Sequence, residues 1–424
     1  MVDIRPFKAI TYTPKAGDIA NLIAQPYDKI DAEMQRQYYA LSPYHYCRLI
    51  LPLEPNKYEV ANERITKWLK EGIMAKETQP AIYISRQEFT LFNKRCYRLG
   101  IIAASRLYSY SENVIFPHEC TFKEPKADRL NMLRNVQKDL EPVFLMYKDP
   151  NNETIDFINE ITTQKPFIHV IDSLMVEHTI WKVTDPEKIL HLQKIFSSKS
   201  MVITDGHHRY ESAVAYRDEM RSKGYLDADA AFNFHMCYIV PLQDGLVVLP
   251  THRLLKNYNL SNPVLDALKR FFDVYEIEST VSAIDSFLAC HVGDHAFCVY
   301  DGSRVFGLLL KSNDEVYAFV NANVSKETKI FDVVILRDIV FKHILNACSL
   351  CIDNTIFYAR WTKEAFDKVN RGEACLAFFV NPISAETVVD AALQHEVLPE
   401  KSTDFYPKLV SGLVLMDISL SEKL

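Results

Sequence analysis

The chain has 424 residues, 48% of them hydrophobic, and a formal net charge of −7. That length and apolar content allow two domains with sizeable cores. The acidic balance, with no dense block of Lys and Arg, argues against nucleic acid as a partner.

The first residues, MVDIRPFKAITYTP, carry Asp3, Arg5 and Lys8 where a secretory leader needs an unbroken apolar run, so a cytoplasmic protein is expected. Nowhere does an apolar stretch reach the roughly 18 to 20 residues that cross a bilayer, and no membrane span is expected. In QPYDKI (25–30), Tyr27 and Asp28 read in two ways. They are an acceptor for an ammonium group, or a turn whose Asp caps its own backbone. Arg48, in YHYCRLILP, is a candidate anion contact on the substrate side. NERITKWLKEGI from Asn62 has helical spacing, whereas AIYIS (81–85) and GIIAAS (100–105) read as strands.

FPHECTFKEPKADRL (116–130) follows the apolar pair Val114 and Ile115, which places Glu119 at a strand-to-loop junction as a candidate general base. HECTF is not a zinc-protease HExxH, because residue 122 is Phe. VFLMY (143–147) reads as a strand and DPNNET (149–154) as a break.

In SKSMVITDGHHRYESAVAYRDEM (198–220), MVIT is a short strand, Asp205 stands where an N-cap belongs, and a helix is expected to run to Lys223-Gly224. A helix start offers unpaired N–H groups and the positive end of the helix dipole to an anion. Gly206 admits close approach, Arg209 can grip a phosphate with two prongs, and an imidazole of His207 or His208 can add a donor. The two histidines point about 100° apart on a helix and do not readily share a metal ion.

THRLLKN (251–257) has Leu254 where a protein-kinase catalytic loop needs Asp, which leaves Arg253 as a candidate phosphate contact. NLSNP (259–263) is the expected domain boundary. Beyond it NPVLDALKRFF, FCVY (297–300), KIFDVVILRDIVFKHIL and CLAFFVNPISAETVVDAAL continue as helix and strand, with Ser384 as an N-cap. The nine cysteines suit reduced thiols, and the one close pair, Cys348 and Cys351, lacks the second half of a zinc site. Neither GxGxxG nor GxxxxGK[ST] occurs. Lys401, Ser402, Thr403 and Lys408 lie in the Pro-bounded loop LPEKSTDFYPKLVSGLVL and are candidate phosphate contacts, the lysines as cations for a polyanion. The fold class is therefore α/β (α+β). A catalytic region 1–260, a C-terminal α/β domain 261–397 and a segment 398–424 that returns to the active site are expected.

PHE at 117–119 and DGHHR at 205–209 resemble the paired motifs of the free-serine kinases, a branch of the ParB-like superfamily. RPFKAI, QPYDKI, RLILP, PHECTF, ADRL, TDGHHRYE, LPTHR and LPEKSTDFYPKLVSGLV together resemble a family long catalogued as a domain of unknown function, to whose members pyrophosphate-dependent serine kinase activity has been assigned. The resemblance implies a ParB/serine-kinase-like core that phosphorylates free L-serine with pyrophosphate, assisted by Mg²⁺; ADP or ATP as donor, or a nucleotide-binding switch without kinase activity, are the alternatives. It puts Glu119 in the role of base and Asp205 and His208 in the active centre, where Asp205 could hold Mg²⁺ or orient His208. Lys29 departs from the family's usual Val, and Ser212 from its usual Ala or Thr.

Overall fold

The computed structural model describes residues 2–121, 123–243, 245–320, 325–346, 356–399 and 401–424, so Cys348 and Cys351 lie outside the described residues. Two compact units emerge from the chain's contacts. The first holds the chain up to Pro117, Thr121–Leu246 and Pro407–Leu424; the second holds His118–Cys120 and Val247–Tyr406.

The first unit is built on a nine-stranded mixed sheet. From one edge the strands run Ile115–Phe116, Met201–Asp205, Val143–Tyr147, Phe234–Pro241, Lys94–Arg106, Ile82–Leu91, Glu177–Val183 and Ile168–Ile171, with Ile4–Arg5 beside Lys94–Arg106. The runs VFLMY and FHMCYIVP are buried at every position, as continuous apolar strands covered on both faces should be. The expected strands near 81–85, 100–105, 143–147 and 201–204 all occur, and AIYIS and GIIAAS lengthen into a hairpin in which the outer half of Ile82–Leu91 alternates. The helices Lys123–Val136 and His207–Ser222 pack against each other. His207–Ser222 ends as expected, with Gly224 at φ +93°.

The second unit carries a six-stranded antiparallel sheet in the order Phe272–Ile277, Val305–Leu310, Ala296–Tyr300, Leu376–Val380, His252–Leu255 and Ile356–Ala359. Leu376–Val380 is wholly buried, and Ser384 caps the helix Ala385–Leu393 by accepting from Thr387 N–H, as its sequence implies. Mixed α/β architecture is thus present in both units. NLSNP leads into the helix Asn262–Phe271 inside the second unit, because His252–Leu255 before it pairs with Leu376–Val380 far beyond it. The loop expected around 404–406 is a strand, paired with Val247–Leu249. Among the described residues no helix is long and apolar enough to cross a membrane.

Gly100 belongs to the central hairpin because a Cβ there would stand 2.6 Å from Tyr238 Cε2 and 2.8 Å from Val240 Cγ2. Both neighbours are fully buried in the adjoining strand and cannot yield freely. Gly100→Ala should lower unfolding stability by about 1–3 kcal/mol, read from the midpoint of urea denaturation.

Candidate functional site

Asp205 ends a strand whose register shifts between Ile203 and Asp205 where it meets Val143–Tyr147. Gly206 follows at φ +92°, a conformation open to glycine at little cost, and begins the helix with no side chain capping it. A Cβ at Gly206 would lie 2.8 Å from Arg209 Nε, so the guanidinium fills the space that a side chain would take. Asp205 is the last strand residue rather than the N-cap, because its carboxylate is drawn to cations. Oδ2 accepts from Lys408 Nζ at 2.9 Å and Oδ1 from Arg209 Nη2 at 3.4 Å. Burial alone would raise the Asp205 pKa, but Lys408, Arg209 and Lys29 outweigh it and hold the carboxyl well below the usual range. Lys29, visible in the sequence only as a departure, thereby joins this cluster.

Arg209 is buried, which disfavours its charge, and the negative charges of Glu141, Asp205 and Asp28 restore it. Glu141 in turn accepts from the Tyr27 amide at 3.1 Å and from Ser411 Oγ at 3.0 Å. Arg129 lies over the Tyr27 ring at 4.0 Å, and burial pushes the Tyr27 phenol up to about 12 despite that cation. Tyr27 and Asp28 are thus gathered with Asp205, Gly206, Arg209 and Lys408. His207 is buried and His208 half-buried in the same first turn, where Ser212 Oγ closes on the His208 carbonyl at 2.7 Å. Arg48 belongs elsewhere: its Nε and Nη2 donate to the Ser42 and Tyr39 carbonyls, and it lies 4.1 Å from the Tyr39 ring centre. Those bonds fix a loop.

Glu119 lies in the second unit. Its Oε1 accepts from the amides of Ser402 (3.1 Å) and Thr403 (3.2 Å) and from Thr403 Oγ1 (3.1 Å). A hydroxyl has one proton, so Thr403 Oγ1 accepts in turn from Nε2–H of the buried His118 at 2.9 Å. The expected phosphate contacts Ser402 and Thr403 are therefore turned onto Glu119. Lys401, at φ +56°, offers its carbonyl to Thr251 Oγ1 (2.8 Å) and to Arg253 Nη2 (3.3 Å), while its side chain is exposed. Burial lowers the Arg253 guanidinium to about 10, partly offset by Tyr358 and Glu119. Arg253 grips backbone carbonyls of Thr251 and Lys401 and so shapes the cradle around Glu119.

The donor set does not fit a resident Mg²⁺ at Asp205, since both carboxylate oxygens already face cations. Among the described residues no group of three or more His, Cys, Asp or Glu is arranged to hold a metal ion.

Residues 4–334 match the model of a family described as "Protein of unknown function (DUF1015)", and the chain belongs to that family. A search of curated proteins found no match. Among solved structures, the chain is similar to "Free serine kinase in complex with AMP", at 15% identity and a TM-score of 0.38, over 77% of this chain and 93% of that one. A conserved hypothetical protein from Pyrococcus furiosus matches at 15% identity and a TM-score of 0.34, over 77% and 97%. SbnI with C-terminal truncation from Staphylococcus aureus matches at 9% identity and a TM-score of 0.37, over 76% and 89%.

A carboxyl held below its ordinary 3.8 contributes stability that is complete above that value and is lost as pH falls through the folded pKa. Asp205→Asn should therefore lower stability at neutral pH and flatten its decline between pH about 5 and 2, measured by urea unfolding at stepped pH.

Proposed function

We propose that the protein is a small-molecule phosphotransferase that moves a phosphoryl group from inorganic pyrophosphate to the hydroxyl of free L-serine. The observation that carries the reading is the Asp205 cluster. Lys408, Arg209 and Lys29 act on one carboxylate at the start of an uncapped 16-residue helix. These cations, balanced in part by Asp205, Glu141 and Asp28, gather beside the backbone amides of the helix start in an acidic protein. Such a cluster suits a compact polyanion that brings no base or ribose to recognise. The substrate class is read from the paired PHE and DGHHR motifs, which resemble those of the free-serine kinases.

In this reaction the serine Oγ attacks the terminal phosphorus, the bridging P–O bond breaks, and orthophosphate leaves. Glu119 accepts the hydroxyl proton, and the three donors on its Oε1 fix the carboxylate's orientation. Arg209, Lys408 and Lys29 neutralise the phosphate oxygens, while Asp205 keeps these cations ordered. Mg²⁺, if used, would belong to the donor's phosphate oxygens rather than to Asp205 and would supply further charge neutralisation there.

Purified protein incubated with L-serine, Mg²⁺ and either pyrophosphate, ADP or ATP should give O-phosphoserine with pyrophosphate, detected by mass spectrometry. Product only with a nucleotide would replace the donor, and nucleotide binding without product would leave a switch. Glu119→Gln keeps the Oε1 acceptor but not the base, so kcat should fall about 10²- to 10⁴-fold with thermal stability near that of the parent. Undiminished turnover in this variant would remove Glu119 from the mechanism.

A further inference from the structure

Arg98 is 0% exposed and lies in the sheet of the first unit, where its hydrogen bonds include ones to a backbone carbonyl and to a side-chain amide. Its Nη2 donates to the Pro407 carbonyl at 2.7 Å, and its Nε to Gln87 Oε1 at 3.1 Å. The guanidinium lies 4.7 Å from the Phe144 ring centre and 5.6 Å from that of Tyr238. Gln87, itself buried, donates from Nε2 to the Lys408 carbonyl at 3.4 Å. Two buried side chains thus hold the two carbonyls at Pro407 and Lys408. Lys408 is the residue whose Nζ meets Asp205.

A buried cation costs several kcal/mol of desolvation, and an apolar side chain at residue 98 could fill the same space between two aromatic rings. What an apolar side chain could not supply is the planar donor fork that joins Gln87 to the Pro407 carbonyl. A lysine on a mobile segment would also lose much of its hold on an anion, because its long side chain and its backbone must both be ordered.

We infer that Arg98, assisted by Gln87, is a positioning residue that fixes the backbone at Pro407 and Lys408 so that the Lys408 ammonium is set for the phosphoryl donor. This inference rests on the proposed phosphotransferase reading for the donor's identity, but the clamp itself is a property of the fold.

The test uses the full chain with the substitutions Arg98→Met, Arg98→Lys, Gln87→Leu and Lys408→Ala. Arg98→Met should raise the KM for pyrophosphate about tenfold and leave the KM for L-serine within about twofold. In a Lys408→Ala background the same change should add less than about twofold, since it acts through a residue no longer there. Amide hydrogen exchange over residues 405–411 should quicken at least about tenfold in Arg98→Met and Gln87→Leu. Full additivity with Lys408→Ala, or unchanged exchange across that segment, would overturn the inference. If Arg98→Met does not fold, Arg98→Lys and Gln87→Leu carry the same comparison. Absence of phosphoserine with every donor would end the kinase reading, while the exchange measurement would still decide the clamp.

Discussion

The pairing of one half-buried carboxylate with its cations organises the first unit's candidate site. Without Asp205, Arg209 would lose a counter-charge inside the protein and Lys408 the carboxylate that its Nζ meets. The pairing also explains the backbone. The strand irregularity at Asp205 and the positive φ of Gly206 turn the chain so that the carboxylate points to the cations instead of capping the helix. The helix then keeps its first-turn amides free of an N-cap side chain.

A second device recurs. Arg98 holds the Pro407 carbonyl within the first unit, and Arg253 holds the Lys401 carbonyl within the second. Each buried guanidinium shapes the backbone of one short stretch of chain, residues 401 to 408. The stretch presents Lys408 to Asp205 in one unit and the amides of Ser402 and Thr403 to Glu119 in the other. Arginine suits this task because its fork of donors reaches two acceptors in a plane and its charge survives burial.

Much of the fold was readable from local pattern. Apolar runs such as VFLMY became wholly buried strands, and Ser384 and Gly224 marked helix ends through capping chemistry that needs no distant partner. What escaped was set by residues far apart in sequence. Asp205 looked like a cap because its partner Lys408 lies 203 positions away, and Ser402 and Thr403 looked like phosphate ligands because Glu119 lies 283 and 284 away. NLSNP does not part the two units for the same reason: it is the entry to a helix, and strand pairing across it carries no local signature. Lys29 was noticed as an oddity, and only its field at Asp205 gives it meaning. Arg98 left a fainter sign, a charged residue at the edge of the apolar run LGIIAAS.

The first unit contains Pro407–Leu424, including Leu415 paired with Ile10, Ser411 with Ala24, and Met416–Asp417 with Lys138–Asp139. Its opening residues leave the ribosome hundreds of codons before the partners that complete them. During synthesis Asp205 and its helix must therefore wait for Lys408 until 203 further residues have been made, and a chain cut short before that point would lack one of the cations that face Asp205.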